Sequence, residues 1–239
     1  MANAAPTGND VKTRIEFNLA SVRTRIVDAA RRGGRDPDEV LLIAVTKTVG
    51  VPEILHAADL GVEIVGENRV HEAIEKRERV GDRVGWHMVG HLQRRKVKDA
   101  VRVFDYIHSV DSLALAREID KRCSALDKVM PVLLEVNVSG EETKFGLSPE
   151  ETIETVRETS TLKQIRIEGL MTMAPFVEDP EETRPCFRKL VQLARSIARE
   201  GLPNASMKHL SMGMTNDFEV AVEEGATMVR VGTAIFGTT

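Results

Sequence analysis

Apolar positions along the chain follow two periods in turn. Ile15, Leu19, Val22, Ile26 and Ala29 recur three and four residues apart, the spacing of one helix face, and Gly33 and Gly34 close the pattern. Asp10 stands ahead of them as a candidate N-cap. After Pro37 comes the continuous apolar run VLLIAV at 40–45, which suits a strand buried on both faces, as in a parallel sheet. Strand-like and helix-like segments then alternate to the end of the chain. The pattern predicts strands at 63–65, 87–89, 107–110, 132–138, 165–173, 209–212 and 228–231. It predicts helices at 94–103 and at 181–200, where Phe187, Leu190, Val191, Ala194 and Ile197 share a face. Pro185 is tolerable there because it lies near the helix start. Thr215 is the expected N-cap of the last helix, and Gly225 its stop.

About eight strands joined by helical crossovers predict one α/β domain, a (β/α)8 TIM-type barrel with an extra N-terminal helix. Residues 1–9 are expected to form a flexible tail and residues 10–239 the barrel. A doubly wound open sheet is the competing architecture. The barrel is preferred because no linker, low-complexity segment or solenoid repeat interrupts the alternation.

Composition then narrows the class. Hydrophobic residues at 42% and charged residues at 29% are ordinary for a soluble globular protein. With Lys+Arg 33 against Asp+Glu 37, the net charge of −4 argues against a dedicated nucleic-acid binder. The longest apolar run, 40–45, is far too short to span a membrane, and residues 1–10 lack the apolar core of a signal peptide. Cys123 and Cys186 make no disulfide framework, so a reducing cytoplasm is the expected location. The six histidines show no HExxH or paired Cys/His pattern, and His87 and His91 fall on a strand and the loop after it, so no metal site is expected. A monomer is the default expectation.

A barrel of this kind does its chemistry at the C-terminal ends of its strands. Lys47 ends VLLIAVTK, at the rim of a very apolar strand. Desolvation there would lower its pKa, and a neutral amine can attack a carbonyl to form a Schiff base. Taken alone, a solvent-facing lysine at a strand end is the commoner case. The loops after strands seven and eight are the usual phosphate site of the fold. Ser211, Gly232 and Thr233 are suitable donors in those loops, although such residues also serve caps and turns. Arg230, flanked by Val229 and Val231, points into the barrel mouth if the valines face the helices; its alternative is a structural ion pair. A Schiff-base lysine, a phosphate cup and an inward arginine together suggest pyridoxal 5′-phosphate. Guanidinium does not readily give up its proton, so an arginine partner would leave the ring nitrogen unprotonated, a weaker electron sink than an aspartate partner would give.

The segments LLIAVTKTV, GENRVHEA, WHMVGHLQRRK, HSVDS, LLEVNVSGEETKFGL, GLMTMAP and LSMGMTNDFEVAVEEGATMVRVGTAIFG span nearly the whole chain, from about residue 41 to residue 237. They closely resemble the pyridoxal phosphate homeostasis proteins, or proline synthase co-transcribed homologues. These in turn resemble the N-terminal barrel of alanine racemase, a fold-type III arrangement. The resemblance implies that Lys47 carries the cofactor as an internal aldimine and that Ser211, Gly232 and Thr233 sit at its phosphate, with Met212 and Gly213 in the same loop. It implies Arg230 near the pyridine nitrogen and Asn68, in GEN, near the ring. A lysine typical of the family, in the loop after the VNV strand that some members use in cofactor exchange, falls on Lys144. Arg95 stands where the family often has asparagine, which bears on the contacts of that loop and not on the cofactor site.

The function implied is intracellular pyridoxal phosphate homeostasis, by buffering the cofactor or delivering it to apo-enzymes. The alternative is an amino-acid racemase of alanine racemase type, with weak or partner-dependent activity and Lys47 as base. Racemisation needs acid/base groups on both faces of the substrate Cα. The single tyrosine, Tyr106, precedes a predicted strand and does not stand in a rim loop. A Schiff-base aldolase ranks last, since Asn68 and Arg230 supply no proton relay. The basic run Arg94, Arg95, Lys96 and Lys98 is expected to be a solvated helix face.

Overall fold

The structure is a computed structural model and describes residues 8–141 and 144–237. Helix α1 (Gly8–Arg32) comes first. Eight strands follow: β1 (Leu41–Val45), β2 (Ile64–Glu67), β3 (Gly85–Met88), β4 (Tyr106–Val110), β5 (Met130–Glu135), β6 (Ile165–Met171), β7 (Ala205–Ser211) and β8 (Met228–Val231). They alternate with α2 (Val51–Asp59), α3 (Val70–Val80), α4 (Val97–Val103), α5 (Leu113–Ser124), α6 (Pro149–Thr159), α7 (Arg184–Ala198) and α8 (Phe218–Glu223), and α9 (Thr233–Phe236) follows β8. All strand pairs are parallel, and β1 pairs with both β2 and β8, closing the barrel. The closed order rules out the open-sheet alternative.

Two apolar layers hold the fold. Outward side chains of the strands meet the helices around Trp86, Phe104, Phe187 and Phe218, all fully buried. A smaller cluster of Ile43, Val89, Tyr106, Leu133, Met171 and Met228 fills the barrel interior. Ile43 lies opposite Arg230 in the β1–β8 register, and Glu135 lies opposite Met171 in β5–β6. These pairings identify the inward face of each strand. At Gly169 (φ +154) the β5–β6 and β6–β7 registers shift, and a side chain there would run into the His209 carbonyl. Only glycine allows β7 to approach β6 this closely.

Several expected boundaries move. The first helix begins at Gly8, so Asp10 lies within its first turn and does not cap it; residues 1–7 of the expected tail lie outside the described residues. The expected helix at 181–200 splits into a 3-10 turn, Pro180–Thr183, and α7, with Pro185 its second residue. Asp217, not Thr215, precedes α8 and accepts from the Met214 N–H, while Thr215 Oγ1 accepts from Ala234 N–H. Strand β7 starts at Ala205, earlier than expected, because exposed Ser206 and Lys208 alternate there with half-buried Ala205 and Met207 and leave no continuous apolar run. The strand expected at 132–138 ends at Glu135, where Asn137 Oδ1 takes the Gly140 N–H in a turn.

Candidate functional site at the barrel mouth

Alternation along β1 sets Lys47 on the same side as Ile43 and Val45, two residues beyond the strand. Behind the sheet, buried Thr46 donates to Glu67 Oε1 at 2.6 Å, and Lys76 Nζ donates to the same oxygen and to the Thr46 carbonyl, each at 2.7 Å. This anchor ties the exit of β1 to the end of β2 and to α3. Lys47 itself is exposed, so the desolvation expected from its apolar strand does not reach the side chain: the apolar run stops at Val45 and the chain turns at Thr48 (φ +62). Its ammonium has no hydrogen-bond or ion-pair partner among the described residues.

Lys47 lines a cleft of about 350 Å³ that it shares with Val45, Gly232, Thr233 and, from α1, Arg14. Gly232 lies against β1, where a Cβ would come within 3.1 Å of the Val45 carbonyl. Thr233 is exposed, and as the first residue of α9 its N–H has no intrahelical acceptor.

Arg230 lies below this cleft, inside the barrel and 4% exposed. Its guanidinium donates to Ser211 Oγ at 2.5 Å and to the Thr172 carbonyl at 2.8 Å. Burial lowers its pKa to about 10 against the opposing pull of Asp217 and Glu135. Ser211 is also 2.9 Å from His108 Nδ1, and His108 Nε2 is 2.9 Å from His87 Nδ1. Burial holds both histidines neutral, His87 down to about 4 and His108 well below its usual range, with neighbouring charges adding to the effect on His108. One proton arrangement satisfies the whole chain. Arg230 donates to Ser211, Ser211 to His108 Nδ1, and His108 Nε2–H to His87 Nδ1.

The sequence-expected residues therefore separate. Lys47, Gly232 and Thr233 share the cleft. Ser211 is fully buried and engaged with Arg230 and His108. Met212 is also fully buried, and its N–H donates to the Met228 carbonyl. Gly213 (φ +89) accepts the Arg230 N–H with its carbonyl and packs against α8. Asn68 lines a separate recess of about 190 Å³ with His91 and Lys96. Lys144 pairs with Glu141 at 2.7 Å, beside Phe145, which stacks on His91 at 3.7 Å. Arg94, Arg95, Lys96 and Lys98 are exposed around buried Val97, as expected of a solvated face. Tyr106 opens β4 at the opposite end of the barrel, where it donates to Glu168 Oε2 at 3.0 Å; burial drives its pKa far up. No cluster of metal-ligating side chains occurs among the described residues.

Sequence reading passes over Glu135, the last residue of β5. It is 2% exposed, and Oε2 is enclosed without a partner. Burial pushes its pKa up to about 7, with the nearby Asp111 adding to the rise. A carboxylate within an apolar strand was its only sequence signal.

Comparison with known proteins places this geometry in a family. The model of the alanine racemase N-terminal domain matches residues 17–239. The pyridoxal phosphate homeostasis protein of Aquifex aeolicus is 45% identical over 220 residues, covering 92% of this chain and 96% of that one. The structure of PipY from Synechococcus elongatus with pyridoxal phosphate bound superposes with a TM-score of 0.82 at 36% identity, covering 93% of this chain and all of that one. An alanine racemase of Clostridium difficile shares the fold alone, with a TM-score of 0.75 at 18% identity over 95% of this chain and 57% of its own. With this identity sustained along almost its full length, the chain belongs to the pyridoxal phosphate homeostasis protein family, built on the alanine racemase N-terminal barrel.

Proposed function

We propose that the protein binds pyridoxal 5′-phosphate and serves in the homeostasis of that cofactor, with Lys47 as the point of covalent attachment. The observation that carries this is the cleft in which an unpartnered lysine amine faces the exposed hydroxyl and free N–H of Thr233, in a chain similar along its length to pyridoxal phosphate homeostasis proteins. The residues present fit the cofactor. When bound, it supplies an aldehyde for an amine and a phosphate for anion donors. Thr233 and the Gly232 turn serve the anion side, and the lack of a side chain at Gly232 lets that loop close on β1.

Arg230 offers a fixed, proton-bearing guanidinium from the barrel floor. Ser211 seats that guanidinium and does not reach the cleft, and Met212 and Gly213 shape the loop through their backbone. An exposed Lys47 suits a protein that takes up and gives up its ligand, with apo-enzymes as the recipients and a cytoplasmic monomer as the working form. No helix among the described residues is long and apolar enough to cross a membrane. Racemisation is the weaker reading, because Tyr106 is committed to Glu168 at the far end of the barrel.

The test is the visible spectrum of the purified protein with added pyridoxal phosphate, before and after borohydride, with mass mapping of the reduced adduct. A yellow protein whose adduct maps to Lys47, lost in Lys47→Ala with the fold retained, supports the proposal. An absence of colour and adduct overturns it.

A further inference from the structure

Glu135 is a buried acid on the inward side of the barrel mouth whose carboxyl makes no hydrogen bond or ion pair among the described residues, although the Arg230 charge partly opposes the effect of its burial. Its strand neighbour Leu133 is in the interior cluster, and so is Met171, which lies opposite it in register. The side chain therefore stands inside the barrel, at the C-terminal end of β5. In a closed eight-strand order, β5 is diametrically across from β1 and Lys47. The backbone there is paired, because the Glu135 carbonyl accepts the Leu147 N–H at 2.8 Å. Oε2 has no partner and no access to water. A buried polar group without a partner is costly and calls for an explanation, and a ligand contact supplies one at the mouth of the barrel.

The groups that face it are Asp111 from the loop after β4 and Arg230 from β8. On the β4 wall, burial holds His108 neutral, and the paired stretch of β6 brings Met171, which does not titrate. Arg230 already spends two of its N–H groups on Ser211 and Thr172, and no hydrogen bond joins it to Glu135.

We propose that Glu135 is a ligand-contacting residue of the cofactor site: protonated, it donates a hydrogen bond to an acceptor atom on the ring edge of bound pyridoxal phosphate, across the mouth from Lys47. The chemistry of the ligand selects this direction. With its ring nitrogen unprotonated and its phenol ionised, the pyridoxal ring edge presents acceptors. An acid is the matching partner, whereas a carboxylate would set one anion against another. The inference rests on the cofactor assignment above and adds a pH dependence to it. Attack by any amine needs its neutral form, and a dianionic phosphate is the better anion, so the rest of the capture chemistry gains as pH rises. A limb that falls as pH rises through about 7 therefore belongs to Glu135.

The experiment titrates wild type, Glu135→Gln and Glu135→Met with pyridoxal phosphate from pH 6 to pH 8.5, by absorbance and by borohydride mapping at Lys47. Glutamine is a permanently neutral donor of the same shape, and methionine fills the site without one. Glu135→Met is expected to bind about five- to tenfold more weakly than wild type at pH 6, the worth of one buried hydrogen bond. Glu135→Gln is expected to match wild type at pH 6 and to bind several-fold more tightly at pH 8.

In the cofactor-free protein, the infrared band of a protonated carboxyl is expected to vanish in both variants, and in wild type to shift when the cofactor is added. Three proteins with one common affinity–pH curve, each carrying its adduct on Lys47, would overturn the role of Glu135 and leave the cofactor assignment standing. Wild type without an adduct overturns the assignment itself.

Discussion

In the proposed site Thr233 and Lys47 have separate roles, phosphate donor and attachment point, and single substitutions divide them. Thr233 offers an exposed hydroxyl with no structural partner, so its removal has no folding cost beyond a surface change. Thr233→Ala is expected to weaken pyridoxal phosphate binding about tenfold, the scale of one hydrogen bond to a charged group. Binding of pyridoxal, which lacks the phosphate, should stay unchanged. Equal losses for the two ligands would place Thr233 away from the phosphate. Ser211 illustrates the reverse case. From sequence it is a serine in a phosphate loop, but its hydroxyl is spent between a guanidinium and an imidazole. Surroundings separate the two, because Ser211 ends β7 buried between Arg230 and His108, while Thr233 opens the short helix α9 and is exposed.

At the scale of elements, the exit of β1 is held by a buried ion pair that packs outside the barrel. Glu67 is fully buried and Lys76 nearly so, 2.7 Å apart, and both also engage Thr46, the residue before Lys47. Lys76→Met leaves Glu67 buried without its cation and is expected to cost about 3–5 kcal/mol, read from urea unfolding. The double variant Glu67→Gln with Lys76→Met should recover part of that loss. If Lys76→Met were as stable as wild type, the pair would contribute nothing to the β1 exit. Neither Glu67 nor Lys76 stands out in the sequence, because each sits in an ordinary charged helical or strand-end setting and they meet only once α3 has packed.

The parts legible in the sequence are those with local periodicity: the barrel, the strand-end lysine, the inward arginine and the glycine-threonine turn after β8. The His87–His108–Ser211–Arg230 chain and Glu135 are not legible, because their surroundings come from separate strands, with bonded His108 and Ser211 103 residues apart, that only barrel closure brings together. The pattern also misplaces the start of β7 and the split before α7, where polar or proline residues break the periodicity without ending the structure.

For the molecule as a whole, the buried interior groups set how stability depends on pH, and they pull in opposite directions. His87 and His108 have folded pKa values below that of an unfolded histidine. Between about pH 6.5 and pH 4 the unfolded chain thus binds protons that the barrel refuses. Stability therefore falls as pH drops through that window, by up to about 1.4 kcal/mol per pH unit for each histidine. Glu135 has a folded pKa raised to about 7, so the native state holds a proton that the unfolded chain has released. Its contribution is full below the unfolded value and is lost as pH rises toward 7, which offsets part of the histidine slope.

Unfolding in urea at pH 5, 6, 7 and 8 should show these terms separately. His108→Gln, which cannot take a proton, should flatten the acid limb. Glu135→Gln should steepen it and raise stability at pH 8 relative to wild type, where the ionised carboxylate is buried without a partner. Wild type and both variants sharing one slope between pH 5 and pH 7 would mean that water reaches these interior groups and that the barrel floor is not the dry, closed layer its packing indicates.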